Sequence, residues 1–421
     1  MSLVIQSARI IDPSQGLDQV LDLKIEDGKI AALGEHLDPQ GSDILEAEGL
    51  ILAPGLVDVH VHFRDPGFTQ KEDLETGART AARGGYTAVI CMANTQPVIN
   101  TAEDVKAFQA RAQESPIRLY TVAALTKDLK GRELNDLEAL AQTGIPAFSD
   151  DGFPLKDKGL FREALLRTKK LGLPISLHEE DPDLIDRPGF DSGPFARDLG
   201  IQGAPVESEV RMVERDCQLA LETGGAIDIQ HLSSGQAAKI IARYKEMGAP
   251  VVCEVTPHHF SLTREALKDH GSLAKMNPPL RSQEEKDLLL DHIARGTIDF
   301  IATDHAPHTI EEKNKPILEA PSGILGLETA LSLAIKNLVK PGLIDYSRLI
   351  DLMSTKPARY FRLEGGTLKV GSPADLVLFD PEATWSYDHS LSKSQNSPFL
   401  GDLLPGKVFY TFCRGKLIFK E

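Results

Sequence analysis

From Leu50 onward, short apolar runs of strand length alternate with stretches whose apolar residues recur at helical spacing. The runs fall at residues 51–61, 88–92, 118–122, 146–149, 175–177, 226–230, 251–255 and 300–303. Between them the periodicity predicts helices over 72–83, 102–113, 134–143, 161–170, 207–223, 236–247 and 284–295. Strands that alternate with helices imply a parallel sheet, and eight such units predict an α/β fold, a (β/α)8 TIM barrel. A doubly wound open sheet is the alternative. Against it, no Gly-rich phosphate turn follows any early strand.

The two ends read differently. Before residue 53, short β-segments such as Arg9-Ile10-Ile11 and Asp22-Leu23-Lys24-Ile25 are separated by turns, among them Glu26-Asp27-Gly28-Lys29. Helical segments at 327–338 and 347–354 follow the last barrel unit, and the tail turns β-like at 371–380, 408–414 and 416–419. Chain termini often lie close together, so the two β-rich ends can pair. The expected organisation is a barrel over 54–359 and one small β-rich domain built from 1–53 and 360–421.

Composition narrows the partners. A formal charge of -16 over 421 residues argues against nucleic acid or an anionic membrane as the main partner. The four cysteines, at 91, 217, 253 and 413, form no CxxC pair and suit a reducing compartment. The first residues lack a signal-like pattern, and no run reaches membrane-spanning length. A soluble, cytoplasmic protein is expected.

Chemistry concentrates where the predicted strands end, which is where barrel enzymes carry their reactive groups. The first ends in Asp58-Val59-His60-Val61-His62, followed by Phe63-Arg64-Asp65-Pro66-Gly67. Alternation puts Asp58, His60 and His62 on one face, the two histidines roughly 6.6 Å apart at the backbone, close enough to share a metal ion. The fourth ends in Ser149-Asp150-Asp151-Gly152, the fifth in His178-Glu179-Glu180 and the sixth in His231. The eighth ends in Thr303-Asp304-His305-Ala306-Pro307-His308. Six of the twelve histidines therefore stand at or just past strand ends. Any one of them alone would read as structural. Together, four histidines and two aspartates make the ligand set of a two-metal site, suited to zinc or another divalent first-row ion. Two neighbouring cations need an anionic bridge, and either Asp150 or Asp151 is placed to supply it.

The remaining polar residues read more plainly. His258 and His259 are expected to be structural, His305 to point away from Asp304's side, and His36, His270, His292 and His389 to lie on the surface. Glu179, Glu180 and Asp181 read as a solvated loop entry, and Asp58 as a partner for the metal histidines. The polar, aperiodic stretch 309–323 reads as a mobile lid after the eighth strand.

These motifs carry a resemblance. With Met92-Ala93-Asn94-Thr95, Phe148-Ser149-Asp150-Asp151-Gly152, Met276-Asn277-Pro278-Pro279-Leu280-Arg281 and Ala302-Thr303-Asp304-His305-Ala306-Pro307-His308, the chain resembles the amidohydrolase superfamily. Within it, the chain is similar to class I (type I) dihydroorotases over nearly its whole length. The His-x-His piece alone indicates only the superfamily. The Ser-Asp-Asp-Gly and Asn-Pro-Pro-Leu-Arg pieces are far more selective.

The resemblance implies the reversible cyclisation of N-carbamoyl-L-aspartate to L-dihydroorotate in pyrimidine (UMP) biosynthesis. It implies zinc, two ions per subunit, bridged by Asp151 and a hydroxide. His60 and His62 would hold one ion, His178 and His231 the other, and Asp304 would bind the first ion and serve as general acid/base. Asp151 would take the place of the carboxylated lysine of hydantoinases, since residues 144–151 contain no lysine. Substrate contacts would come from His62, Phe63, Arg64, Asn94, Asn277, His308, Ser322 and Gly323. Many class I sequences have an aromatic residue where Ser322 stands here. Two alternatives remain open: a related cyclic-amide hydrolase of hydantoinase or allantoinase type, and a non-catalytic scaffold partner of aspartate transcarbamoylase. The expected partners are the small-molecule substrate, a second copy of the chain, and aspartate transcarbamoylase as a candidate.

Overall fold

The computed structural model describes residues 2–421. Eight short strands follow one another as the alternation predicts: β1 (Leu56–Val61), β2 (Tyr86–Cys91), β3 (Arg118–Thr121), β4 (Phe148–Ser149), β5 (Ile175–Leu177), β6 (Ile227–Leu232), β7 (Val251–Val255) and β8 (Phe300–Ile301). β1, β2 and β3 pair in parallel, as do β4 through β8. Parallel bridges Ala123–Phe148 and Val61–His305 join the two runs and close the barrel. Helices outside and packed side chains inside bury nearly every strand residue, which is why these runs read as continuous apolar stretches.

The helices start where their caps stand. α1 (Leu74–Arg83) begins after Asp73, which forms a capping box with Thr76, so Glu72, inside the predicted span, lies outside the helix. The helix expected over 134–143 forms only at Leu137–Ala141, because Asp136 caps it there. Between β5 and β6, α2 (Val206–Thr223), preceded by a single helical turn at Pro182–Leu184 and a short helix at Pro194–Asp198, lies beside the barrel's fifth loop.

One expectation is corrected. Residues 51–61 form two strands: Ile51–Pro54 pairs with Leu376–Ser386 and Ser2–Asp12 of the outer sheet, and β1 starts afresh at Leu56. The break falls at Gly55, whose N–H donates to Asp375 O at 2.9 Å and where a Cβ would collide with the Thr87 side chain. Only glycine fits between the two strands.

Both chain ends meet in that outer, mostly antiparallel sheet, in the order Lys416–Lys420, Leu403–Cys413, Leu376–Ser386, Ile51–Pro54, Ser2–Asp12, Leu17–Glu26 and Lys29–Gly34. Leu3, Ile5, Ile10, Leu23, Leu376 and Phe412 form its separate small core. Between Leu376–Ser386 and Leu403–Cys413 the chain leaves the sheet and runs back to the barrel as a strap without regular structure. Its polar residues Ser390, Ser392, Ser394, Asn396 and Ser397 are buried.

Candidate metal centre

The carboxyl end of β1 turns two imidazoles inward, ring centroids 5.3 Å apart. His60 Nε2 stands 3.5 Å from Asp151 Oδ1, and His62 Nε2 3.5 Å from Asp151 Oδ2. From the ends of β5 and β6, His178 Nδ1 and His231 Nε2 each approach Asp151 Oδ1 at 3.6 Å. Asp151 thus belongs to two potential ligand groups, one with His60 and His62, the other with His178 and His231. After β8, Asp304 Oδ1 lies 3.0 Å from His62 Nε2 and 3.7 Å from His60 Nε2. The choice between the two adjacent aspartates falls to Asp151. Asp150 turns away and accepts the N–H groups of Leu125 and Thr126.

Three residues of the site hold left-handed backbone: Arg64 (φ 59°), His231 (φ 34°) and Asp304 (φ 48°). Such conformations cost a side-chain-bearing residue energy and persist only where neighbours fix them. Asp58 is one such neighbour. Its Oδ1 accepts the His60 N–H at 3.1 Å and the Thr303 N–H at 3.2 Å, and its Oδ2 accepts the Thr303 hydroxyl at 2.6 Å. The expectation that Asp58 would partner the metal histidines is therefore refined: it ties the backbones of the first and eighth strand ends together.

The donor set fits divalent metal. Burial raises the Asp151 and Asp304 carboxyls, but the facing imidazoles outweigh it and hold both below their ordinary range, as anions. His60 is buried with no hydrogen-bond partner for Nε2, which faces Asp151 and Asp304. A buried polar nitrogen left without a partner is costly, and a cation among four imidazoles and two carboxylates removes that cost.

Carboxylates outside the ligand groups orient them. His60 Nδ1 lies 3.5 Å from Glu254 Oε2, and His178 Nε2 2.8 Å from Glu180 Oε2. The expectation of a solvated loop at 179–181 is overturned: Glu179, Glu180 and Asp181 are 2%, 3% and 8% exposed. The loop after β5 is covered by α2, where Asp181 N–H donates to Ser208 O at 2.9 Å. Burial and the neighbouring Asp216 push the Glu179 carboxyl well above its usual range. Glu254 escaped the sequence reading, although a carboxylate inside Val251-Val252-Cys253-Glu254-Val255 is itself a signal.

Of the residues expected to contact substrate, Arg64 and His308 meet. Arg64 Nη2 lies 3.4 Å from His308 Nε2, and Arg64 Nε donates to Pro307 O at 3.3 Å. Lys71, not singled out in the sequence, reaches His308 Nδ1 at 3.4 Å. Asn94 sits deeper than expected, with Oδ1 3.0 Å from His62 Nδ1 and Nδ2 donating to Asp151 Oδ2 at 3.0 Å. Asn277 accepts the Gly189 N–H at 3.1 Å and turns Nδ2 toward His178 Nε2 at 3.3 Å. Gly323 cannot carry a side chain, because a Cβ would meet Ala306 O at 2.8 Å and His308 Cδ2 at 2.9 Å. Ser322 lies against Gly189, where a Cβ would strike its hydroxyl. The Phe63 ring points the other way, packing edge-on to His305 and against Gly77. That leaves only the Phe63 backbone to face a substrate.

His305 also points away, its Nδ1 accepting the Gly326 N–H at 3.2 Å, as alternation predicts. His259 bonds Thr256 and Pro278 O, and its ring centroid lies 4.4 Å from that of His258 at a tilt of 49°. His36, His270 and His389 are exposed, and His292 is half-buried. Residues 309–323 are anchored: Thr309 caps a short helix, Ile310–Lys313, and the buried Lys313 ammonium donates to Pro321 O at 3.0 Å and Gly323 O at 3.1 Å. Lys275 donates to Ile317 O at 3.0 Å and Ala320 O at 2.7 Å.

Comparison with known proteins gives consistent results. The family model described as "Dihydro-orotase-like" matches residues 49–237, and that of the "Amidohydrolase family" matches 217–418. The dihydroorotase of Clostridioides difficile is 47% identical over 99% of both chains. That of Lactococcus lactis is 44% identical over the full length of both. Among solved structures, a D-hydantoinase superposes with a TM-score of 0.88 at 26% identity, covering 100% of this chain and 95% of its own. The L-hydantoinase (dihydropyrimidinase) of Arthrobacter aurescens gives 0.87 at 25% identity, covering 99% and 95%.

Proposed function

The chain belongs to the dihydroorotase family of the amidohydrolases, and from that premise we propose that it interconverts L-dihydroorotate and N-carbamoyl-L-aspartate. It opens a cyclic amide in one direction and closes it in the other, the closing direction serving pyrimidine synthesis. The observation that carries this reading is Arg64 beside His308, 3.4 Å apart at the edge of the ligand cluster. A guanidinium there offers a two-pronged contact to a carboxylate. Dihydroorotate has a carboxylate on its ring; hydantoin and allantoin have none.

His60, His62 and Asp304 would hold one ion and His178 with His231 a second, Asp151 standing between them; zinc, two ions per chain, is the proposed complement. Divalent cations held there supply Lewis-acid polarisation of the ring carbonyl and a more acidic water. Arg64 and His308 bind the substrate carboxylate, while Asn277 and the loop at Ser322-Gly323 hold the ring's amide edges. Asp304 takes the proton of the attacking water and hands it to the ring nitrogen as the C–N bond breaks. In the closing direction it takes that proton back from the ureido nitrogen. Asn94 spans His62 and Asp151 and keeps the two in register.

The proposal extends to a cytoplasmic, self-associating enzyme with aspartate transcarbamoylase as a candidate partner. It also extends to the division of the chain into a barrel at 54–359 and a small β domain from 1–53 and 360–421. A non-catalytic scaffold would have no need to keep all six ligand residues turned inward, which favours the active reading. Assay of the purified chain on L-dihydroorotate, hydantoin and allantoin tests it. Turnover of dihydroorotate is expected, and turnover of hydantoin alone would sink the reading.

A further inference from the structure

Asn396 belongs to the strap that leaves the outer sheet, far in sequence from every strand end, yet its side chain lies behind the substrate edge. It is 2% exposed. Its Oδ1 accepts the His308 N–H at 3.0 Å. Its Nδ2 donates to Ala306 O at 3.0 Å and Gly323 O at 3.1 Å. Its own carbonyl accepts the Leu325 N–H at 3.0 Å.

One amide group therefore grips both ends of the loop that follows β8. One end carries His308, and the other carries Gly323. The strap also reaches the loop after β1: Ser394 Oγ donates to Lys71 O at 2.8 Å and Lys393 Nζ to Thr69 O at 2.8 Å. Arg64 stands in that same loop.

The chemistry at position 396 admits few substitutes. Both amide hydrogens meet backbone carbonyls while the oxygen meets an N–H, a pattern that needs donor and acceptor on one short planar group. Aspartate offers only acceptors and would face two carbonyl oxygens with negative charge. An aliphatic residue would leave buried peptide groups unpaired, which costs more than the hydrogen bonds contribute.

We propose that Asn396 is a positioning residue for substrate binding. It fixes the distance between His308, which meets the carboxylate, and the loop at Ser322-Gly323, which meets the ring's amide edge. The inference rests on the dihydroorotase reading above. Because Asn396 touches no metal ligand, its loss should move substrate affinity rather than the chemical step.

The test compares wild type, Asn396→Ala and Asn396→Asp by steady-state kinetics on L-dihydroorotate, metal content and thermal unfolding. For the alanine variant, KM should rise about tenfold, the equivalent of one or two buried hydrogen bonds. Its kcat should stay within about threefold and its metal content should equal that of wild type. The aspartate variant should raise KM further. A lowered melting temperature with unchanged KM would make Asn396 merely structural and overturn the proposal. So would a fall in kcat and metal content at constant KM. If the alanine variant does not accumulate folded, the aspartate variant decides by the same criteria. If neither folds, the strap serves folding and the proposal falls. A wild-type chain inactive on dihydroorotate overturns instead the reading on which this one rests.

Discussion

Glu254 stands 3.5 Å from Nδ1 of His60, with the buried Asp228 as its other close neighbour. His60 turns its other nitrogen toward Asp151 and Asp304. The carboxylate thus faces the imidazole from the side away from the ligand cluster, where it sets which nitrogen carries the proton and makes the other a better ligand. Removing it by Glu254→Ala should lower metal affinity about 10- to 100-fold. Glu254→Gln, which can still accept a hydrogen bond, should lose less. Metal-buffered titration of the two variants checks this, and equal affinities in both and in wild type would remove Glu254 from the account.

Asp304 is 3.0 Å from His62 Nε2, held as an anion inside the cluster. Asparagine keeps its shape and one coordinating oxygen but cannot carry the proton. Asp304→Asn should therefore reduce kcat by about a hundredfold to ten-thousandfold, with most of the metal retained. Near-normal turnover would mean that another group moves the proton.

His308 gives a pH dependence with a definite sign. Burial, then the charges of Arg64 and Lys71, push its imidazole down to about 3. The unfolded chain protonates it near pH 6.5. Between those values the unfolded state binds the extra proton, so stability is full above about pH 6.5 and falls as the pH drops toward 3. His308→Asn removes this penalty. In metal-stripped protein, where ligand protonation is common to both chains, the stability of wild type relative to the variant should fall by about 1 kcal/mol from pH 7.5 to 5.5. Denaturant unfolding at the two pH values measures it, and a pH-independent difference would show that His308 titrates normally.

The barrel and the ligand cluster were legible because each rests on a periodic rule. Alternation along β1 places His60 and His62 together, and the strand-end rule adds Asp151, His178, His231 and Asp304 from distant parts of the chain. What escaped the sequence lacks such a rule. Glu179-Glu180-Asp181 looks solvated because charge is the only local cue, and nothing nearby in sequence announces that α2 will cover it. The strand break at Gly55 depends on Thr87, a neighbour across the barrel wall. Asn396 lies in the serine-rich stretch 390–397, which shows neither strand nor helix periodicity. Its importance exists only after the strap has folded back onto His308 and Gly323. The lid expected at 309–323 is held by two buried lysines, Lys313 within it and Lys275 outside it, whose partners are backbone carbonyls, and side-chain pattern does not reveal those.

The central claim, a dihydroorotase built on two metal-ligand groups that share Asp151, is tested most directly by zinc titration. Chelator-stripped wild type and His178→Ala would be titrated with zinc while bound metal and turnover of L-dihydroorotate are followed together. Wild-type activity should return with metal and level off at about two ions per chain, as two ligand groups require. In His178→Ala, about one tightly held ion and a large fall in rate should remain. Full activity without metal, or unchanged metal content in His178→Ala, would contradict it.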